Sequence, residues 1–180
     1  MTTDITLKRG SRWTLLVWIA AALLLLTPAV AMRFTKEVAW SPFDFVVWGA
    51  ILAIACGTFE LAVRASGSLA FRAGVAVAVV ISFLVVWVSG AVGIIGDEDN
   101  LANLMFGCVL LVAAAGAYVG RFKAAGLARA MAAAAFLQAV VAIIALLIGS
   151  FEGFVASAIL TAAWLLSAWL FSRAARAEAV

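Results

Sequence analysis

The chain has 180 residues, of which 68% are hydrophobic and 12% charged, with a mean hydropathy of +1.23; soluble domains run near half apolar and a quarter charged. No water-soluble domain of this length can hide so much apolar surface, so the solvent these side chains call for is lipid. The net charge of +3 arises from 12 Lys and Arg against 9 Asp and Glu, and the basic residues sit singly or in small clusters between apolar runs, a pattern of membrane topology rather than of nucleic-acid binding.

A bilayer core of about 30 Å takes about 20 apolar residues per helix. Divided at its charges, glycine clusters and prolines, the sequence predicts an all-α polytopic membrane helix bundle: a single transmembrane domain over 1–180, with helices at 13–31, 43–63, 71–95, 101–120, 130–148 and 154–171 and short cytoplasmic tails at 1–12 and 172–180. The connections are short, which makes sequential helices antiparallel neighbours. Lys8, Arg9 and Arg12, the apolar run after them and the tripeptide Ala29-Val30-Ala31 imitate a secretory signal with its cleavage site. The run is long enough to span, and the first helix is expected to be retained.

Cytoplasmic loops keep the excess of Lys and Arg. With six spans, ten of the 12 fall on one side (Lys8, Arg9, Arg12, Arg64, Arg72, Arg121, Lys123, Arg129, Arg173, Arg176) and two on the other (Arg33, Lys36). Both termini are therefore expected in the cytoplasm. A faint parallel repeat relates the second and third helices (Trp48-Gly49, Arg64, Arg72, Ile95-Gly96) to the fourth and fifth (Phe106-Gly107, Arg121, Arg129, Ile148-Gly149). Any two hydrophobic hairpins with basic inner loops share that much, and this plainer reading is preferred.

Polar residues collect on the outward face: Arg33, Lys36, Glu37 and Asp44 around the first outer loop, Asp97, Glu98, Asp99, Asn100 and Asn103 around the second, and Glu152 at the third. Successive carboxylates with neighbouring amides suit a hard cation such as calcium or magnesium, which takes oxygen ligands. The structural alternative is that each acid sits where an outward-starting helix begins and complements the helix dipole. Ser41-Pro42-Phe43-Asp44 reads as a capping-box variant with Pro at the first helical position, and Asp99 or Asn100 can cap the fourth helix. Capping and local pairing is the stronger reading, and no metal site is assigned.

At membrane depth the ionisable residue is Glu60, four residues before Arg64 and so placed for an ion pair on one helix face; such pairing and snorkelling outweigh a transport role. Gln138, midway along the fifth helix, is read as a hydrogen-bonding contact to a neighbouring helix. Gly49, Ala53 and Gly57, and likewise Gly116 and Gly120, recur every four residues as small-residue packing faces. Several tryptophans, among Trp13, Trp18, Trp40, Trp87, Trp164 and Trp169, lie near predicted membrane surfaces, where amphipathic rings anchor helices. Histidine is absent and Cys56 and Cys108 lie inside apolar runs, so His-ligated haem or zinc, a His general base and a thiolate cluster are out of reach, no cofactor is predicted, and both thiols are read as reduced and structural.

The stretches MRFTKEVAWSPFDF (32–45) and GIIGDEDNLANLMFG (93–107) resemble signature stretches of an uncharacterised family of small proteobacterial inner-membrane proteins. The resemblance covers the first four helices. It implies a bacterial inner-membrane setting and brings no function with it. The expected role is a non-catalytic accessory or interaction subunit of a membrane complex, whose partners are the lipid bilayer and either another membrane protein or a second copy of the chain, and not nucleic acid. The alternative is a small channel or transporter for a cation or small solute with an acidic outer mouth. An intramembrane enzyme ranks last, because neither a lysine nor paired aspartates stand at membrane depth.

Overall fold

The computed structural model describes residues 12–96 and 99–178. Lys8 and Arg9, with most of the leader, and Asp97 and Glu98 of the outer band lie outside the described residues. Among those described there is no strand, and six helices are long and apolar enough to cross a membrane. They are α1 (Arg12–Ala31), α2 (Pro42–Ala65), α3 (Leu69–Ala91), the span Leu101–Val119, in which a 3-10 turn (Leu101–Asn103) runs into α4 (Leu104–Val119), then α5 (Ala124–Leu147) and α6 (Phe151–Glu178). The chain divides into two compact units, residues 1–65 and 66–180.

The first unit is a helical hairpin. Val17 lies against Cys56, Trp18 against Glu60, and Leu25 against Gly49, so α1 and α2 run in opposite directions. Pro28 sits in the last turn of α1, where its missing N–H leaves few turns to disrupt before the helix stops at Ala31. Both helices keep most of their apolar side chains uncovered, among them Leu15, Leu23, Val46 and Ile54, as lipid-facing helices do.

In the second unit α5 is central: it packs against α4 on one side and α6 on the other, and α6 packs in turn against α3. The α3–α6 contact is close because Gly74 has no side chain. Its carbonyl accepts a hydrogen bond from Ser167 Oγ at 2.9 Å, and the Phe171 ring lies 3.2 Å from where a Cβ would stand. Phe71 meets the same ring edge-on, centroids 5.4 Å apart.

Sequential neighbours therefore pair at α1–α2, α4–α5 and α5–α6, but α3 and α4 touch at few points. The reason is in their connection. Gly93 and Gly96 take left-handed backbone (φ 76° and 68°), the first ending α3 at Ala91 rather than at 95. The chain then turns Ile95, 1% exposed, under the start of α6 beside Gly153. Two further limits move: α5 begins at Ala124 rather than 130, and α6 runs through to Glu178. Arg129 is accommodated inside α5 with its Nε donating to the Ala125 carbonyl, and the alanine-rich sequence after Phe171 has high helix propensity.

Candidate functional site

The outer-band residues on the first unit have separate local roles. At the start of α2, Asp44 Oδ2 accepts from the backbone N–H and hydroxyl of Ser41 at 2.7 and 2.8 Å, while Ser41 Oγ accepts from the Asp44 N–H at 3.3 Å. That is a reciprocal capping box, with Pro42 at the first helical position. Arg33, Lys36 and Glu37 are exposed in the connection between α1 and α2, where the Glu37 N–H donates to Thr35 Oγ1.

On the second unit, Asn100 Oδ1 accepts from the Ala102 N–H at 2.9 Å and caps the 3-10 turn. Asn103 is buried and ties the connection down: its Oδ1 accepts from the N–H groups of both Ile94 and Ile95 at 2.9 Å, and its Nδ2 donates to the Ile95 carbonyl at 3.4 Å. Asp99 is exposed beside them, and Glu152 stands exposed in the first turn of α6. Among the described residues no three of His, Cys, Asp and Glu gather closely enough to hold a metal ion.

Toward the far end of the hairpin, Glu60 joins two partners. Arg64, one turn on, pairs with Oε1, and the Trp18 indole N–H of α1 donates to Oε2 at 2.9 Å. The sequence spacing gave the Arg64 contact; the Trp18 contact crosses between helices and had no local signal. At the α4–α5 interface Gly116 faces Ala130 and Gly120 faces Gly126. The sequence does not mark Gly126 as a contact, because Arg121, Lys123 and Arg129 around it predict a loop there. On α2, Gly49 meets Leu25, Ala53 is exposed, and nothing lies within 4 Å of a Cβ built on Gly57.

Gln138 is wholly buried in the second unit, and so are Ser157 and Trp164 of α6. Trp164 lies at the middle of its helix, away from either end, whereas Trp169 carries the Arg173 guanidinium 4.9 Å above its ring. The hollow beside the α4–α5 turn is shallow and lined by Tyr118, Val119, Arg121 and Phe122.

Six apolar helices, with polar side chains largely occupied in holding helix starts and turns, define the chain as a multi-pass helical membrane protein. No protein-family model, curated protein or solved structure matches it.

Proposed function

We propose that the chain is a non-catalytic accessory protein of a bacterial inner membrane, with both termini cytoplasmic, that binds another membrane protein in the bilayer. The observation that carries this reading is the contrast between two small-residue faces. Gly116 and Gly120 are filled by α5, whereas within the first unit the Gly49, Ala53 and Gly57 face of α2 meets α1 at Gly49 and leaves Gly57 without a neighbour within 4 Å. In lipid, where apolar side chains gain nothing by leaving the solvent, such faces are what let helices approach closely. The described outer polar groups fit the same reading, because Asp44, Asn100 and Asn103 hydrogen-bond to the backbone of their own helix starts and turns. Neither a cofactor nor nucleic acid enters this role, and the resemblance of the 32–45 and 93–107 stretches supports the inner-membrane setting.

The test is solubilisation of the tagged chain from native membranes in mild detergent. A membrane protein should come with it in fixed stoichiometry, and Gly57→Leu should release that protein while leaving the chain folded. The second reading, a small channel or transporter, draws on the unmatched polar groups at mid-depth in the second unit. A monodisperse chain with no partner, conducting solute in proteoliposomes, would replace the accessory reading with that one.

A further inference from the structure

Three side chains inside the second unit have no exposed surface and no hydrogen-bond partner among the protein atoms: the Gln138 amide, with both Nε2 and Oε1 unmatched, the Ser157 hydroxyl and the Trp164 indole N–H. Buried polar groups are paired with protein or with ordered water as a rule, and in a bilayer no bulk solvent is at hand to pair them. Three such groups together therefore call for a common partner.

Helix register brings them to one place. Gly153 of α6 faces Ala145 of α5, a Cβ built on the glycine lying 3.4 Å from the alanine Cβ. Since α5 and α6 are joined by a short turn and run in opposite directions, seven residues back from Ala145 is Gln138, and seven forward from Gly153 is Leu160. Ser157 and Trp164, seven apart and so on one face of α6, bracket that level above and below. At 1.5 Å rise per residue each stands about 5 Å along the axis from Gln138. Their polar atoms make no direct hydrogen bond to one another, and the smallest bridge between two such groups is one water, which spans two hydrogen bonds of about 2.8 Å in series. Gln138, Ser157 and Trp164 supply donors, Gln138 and Ser157 supply acceptors, and none carries charge. A neutral ligand with two donors and two acceptors matches them, and water is the smallest.

We propose that Gln138, Ser157 and Trp164 form a hydration site near the middle of the bilayer, in which buried water bridges the amide to the hydroxyl and to the indole N–H. The site does not depend on the accessory role. It would stand equally in a protein that transports.

The experiment uses the full chain in lipid nanodiscs with its tryptophan side chains labelled by nitrogen-15. The Trp164 indole resonance is assigned by its disappearance in Trp164→Phe, and magnetisation transfer from water to that N–H is recorded. The expected result is a water cross-peak at Trp164 that is lost in Gln138→Leu and weakened in Ser157→Ala, the milder change should the first perturb folding. An indole with no water cross-peak in the unaltered protein overturns the proposal. If that dry indole moves when Gln138 is replaced, the two side chains bond directly; if it does not move, the core is simply unsolvated.

Discussion

Gly120 and Gly126 approach across the α4–α5 turn so closely that a Cβ placed on Gly126 would lie 2.5 Å from both the Cα and the carbonyl oxygen of Gly120. Both contacts are backbone, which cannot swing aside, so the helices themselves must separate to admit a methyl group. Gly126→Ala should destabilise the protein by about 1–3 kcal/mol, the usual range for overpacking. Gly107→Ala is the control: it has nothing within 4 Å and should be neutral or gain up to about 1 kcal/mol from helix propensity. Thermal melts of the two variants in one detergent separate these outcomes, and equal melting temperatures would show that the close approach does not matter.

Two helix ends share one hydrogen-bond pattern but differ in the residue that bends the chain. At the end of α5 the Ser150 N–H reaches the Ala145 carbonyl and the Gly149 N–H reaches that of Leu146; at the end of α4, Phe122 and Arg121 make the equivalent bonds to Ala117 and Tyr118. Both are Schellman motifs. Gly149 takes φ 82° without strain, while Arg121 takes φ 53° with a Cβ. Gly149→Ala, where there is room for the methyl but not for the backbone angle, should cost about 1 kcal/mol, and Arg121→Gly should return up to about 1 kcal/mol. Opposite shifts in melting temperature are the expected readout.

The helices were legible because charges, prolines and glycines interrupt the apolar runs at nearly the places where the chain leaves the helix. Asp44 and Asn100 were legible as caps because capping depends on residues within one turn. What was not legible is which face of each helix meets another. In water a helix shows its buried side as an apolar stripe, but α4 and α5 show no such one-sided stripe, so nothing in sequence distinguishes Ala134, fully buried, from Phe136, 74% exposed. The pairing of α3 with α6, the Trp18 contact to Glu60 and the burial of Gln138, Ser157 and Trp164 all depend on that hidden information. Arg129 misled for a related reason: a long basic side chain can lie along a helix and reach polar surroundings, so a charge in the sequence need not mark a loop.

Asn103 holds two backbone N–H groups, those of Ile94 and Ile95, with one side-chain oxygen, and Ile95 is buried. Asn103→Ala would leave both donors without that acceptor, at a cost of about 2–4 kcal/mol if neither finds water. Asn103→Asp keeps an acceptor oxygen for both N–H groups and should be tolerated better, although its second oxygen replaces the Nδ2 donor that faces the Ile95 carbonyl. Amide exchange at residues 94 and 95 checks this locally: protection should fall in the alanine variant and persist in the aspartate one.

The count of ten basic residues against two predicts which loops face the cytoplasm. In a background with Cys56 and Cys108 replaced by alanine, Lys36→Cys should react with an impermeant maleimide added outside intact spheroplasts, and Gly67→Cys only after lysis. Gly67 is exposed with nothing within 4 Å, so failure to label it after lysis would point to an altered fold rather than to burial. The reverse labelling pattern would invert the orientation.

Trp18 and Glu60 bind α1 to α2 through one hydrogen bond at the end of the hairpin where Arg64 also pairs with the carboxylate. If that bond sets the register between the helices, Trp18→Phe and Glu60→Leu remove the same interaction, and the double variant should be no less stable than the worse of the two singles. Glu60→Gln keeps an acceptor for the indole N–H and gives up only the charge with which Arg64 pairs. It should therefore lie closer to the unaltered protein than Glu60→Leu does. Strict additivity of the two single changes in a double-mutant cycle would show that the contact carries no coupling, and the register of the hairpin would then rest on the packing of Leu25 against Gly49 and of Cys56 against the Val17 backbone.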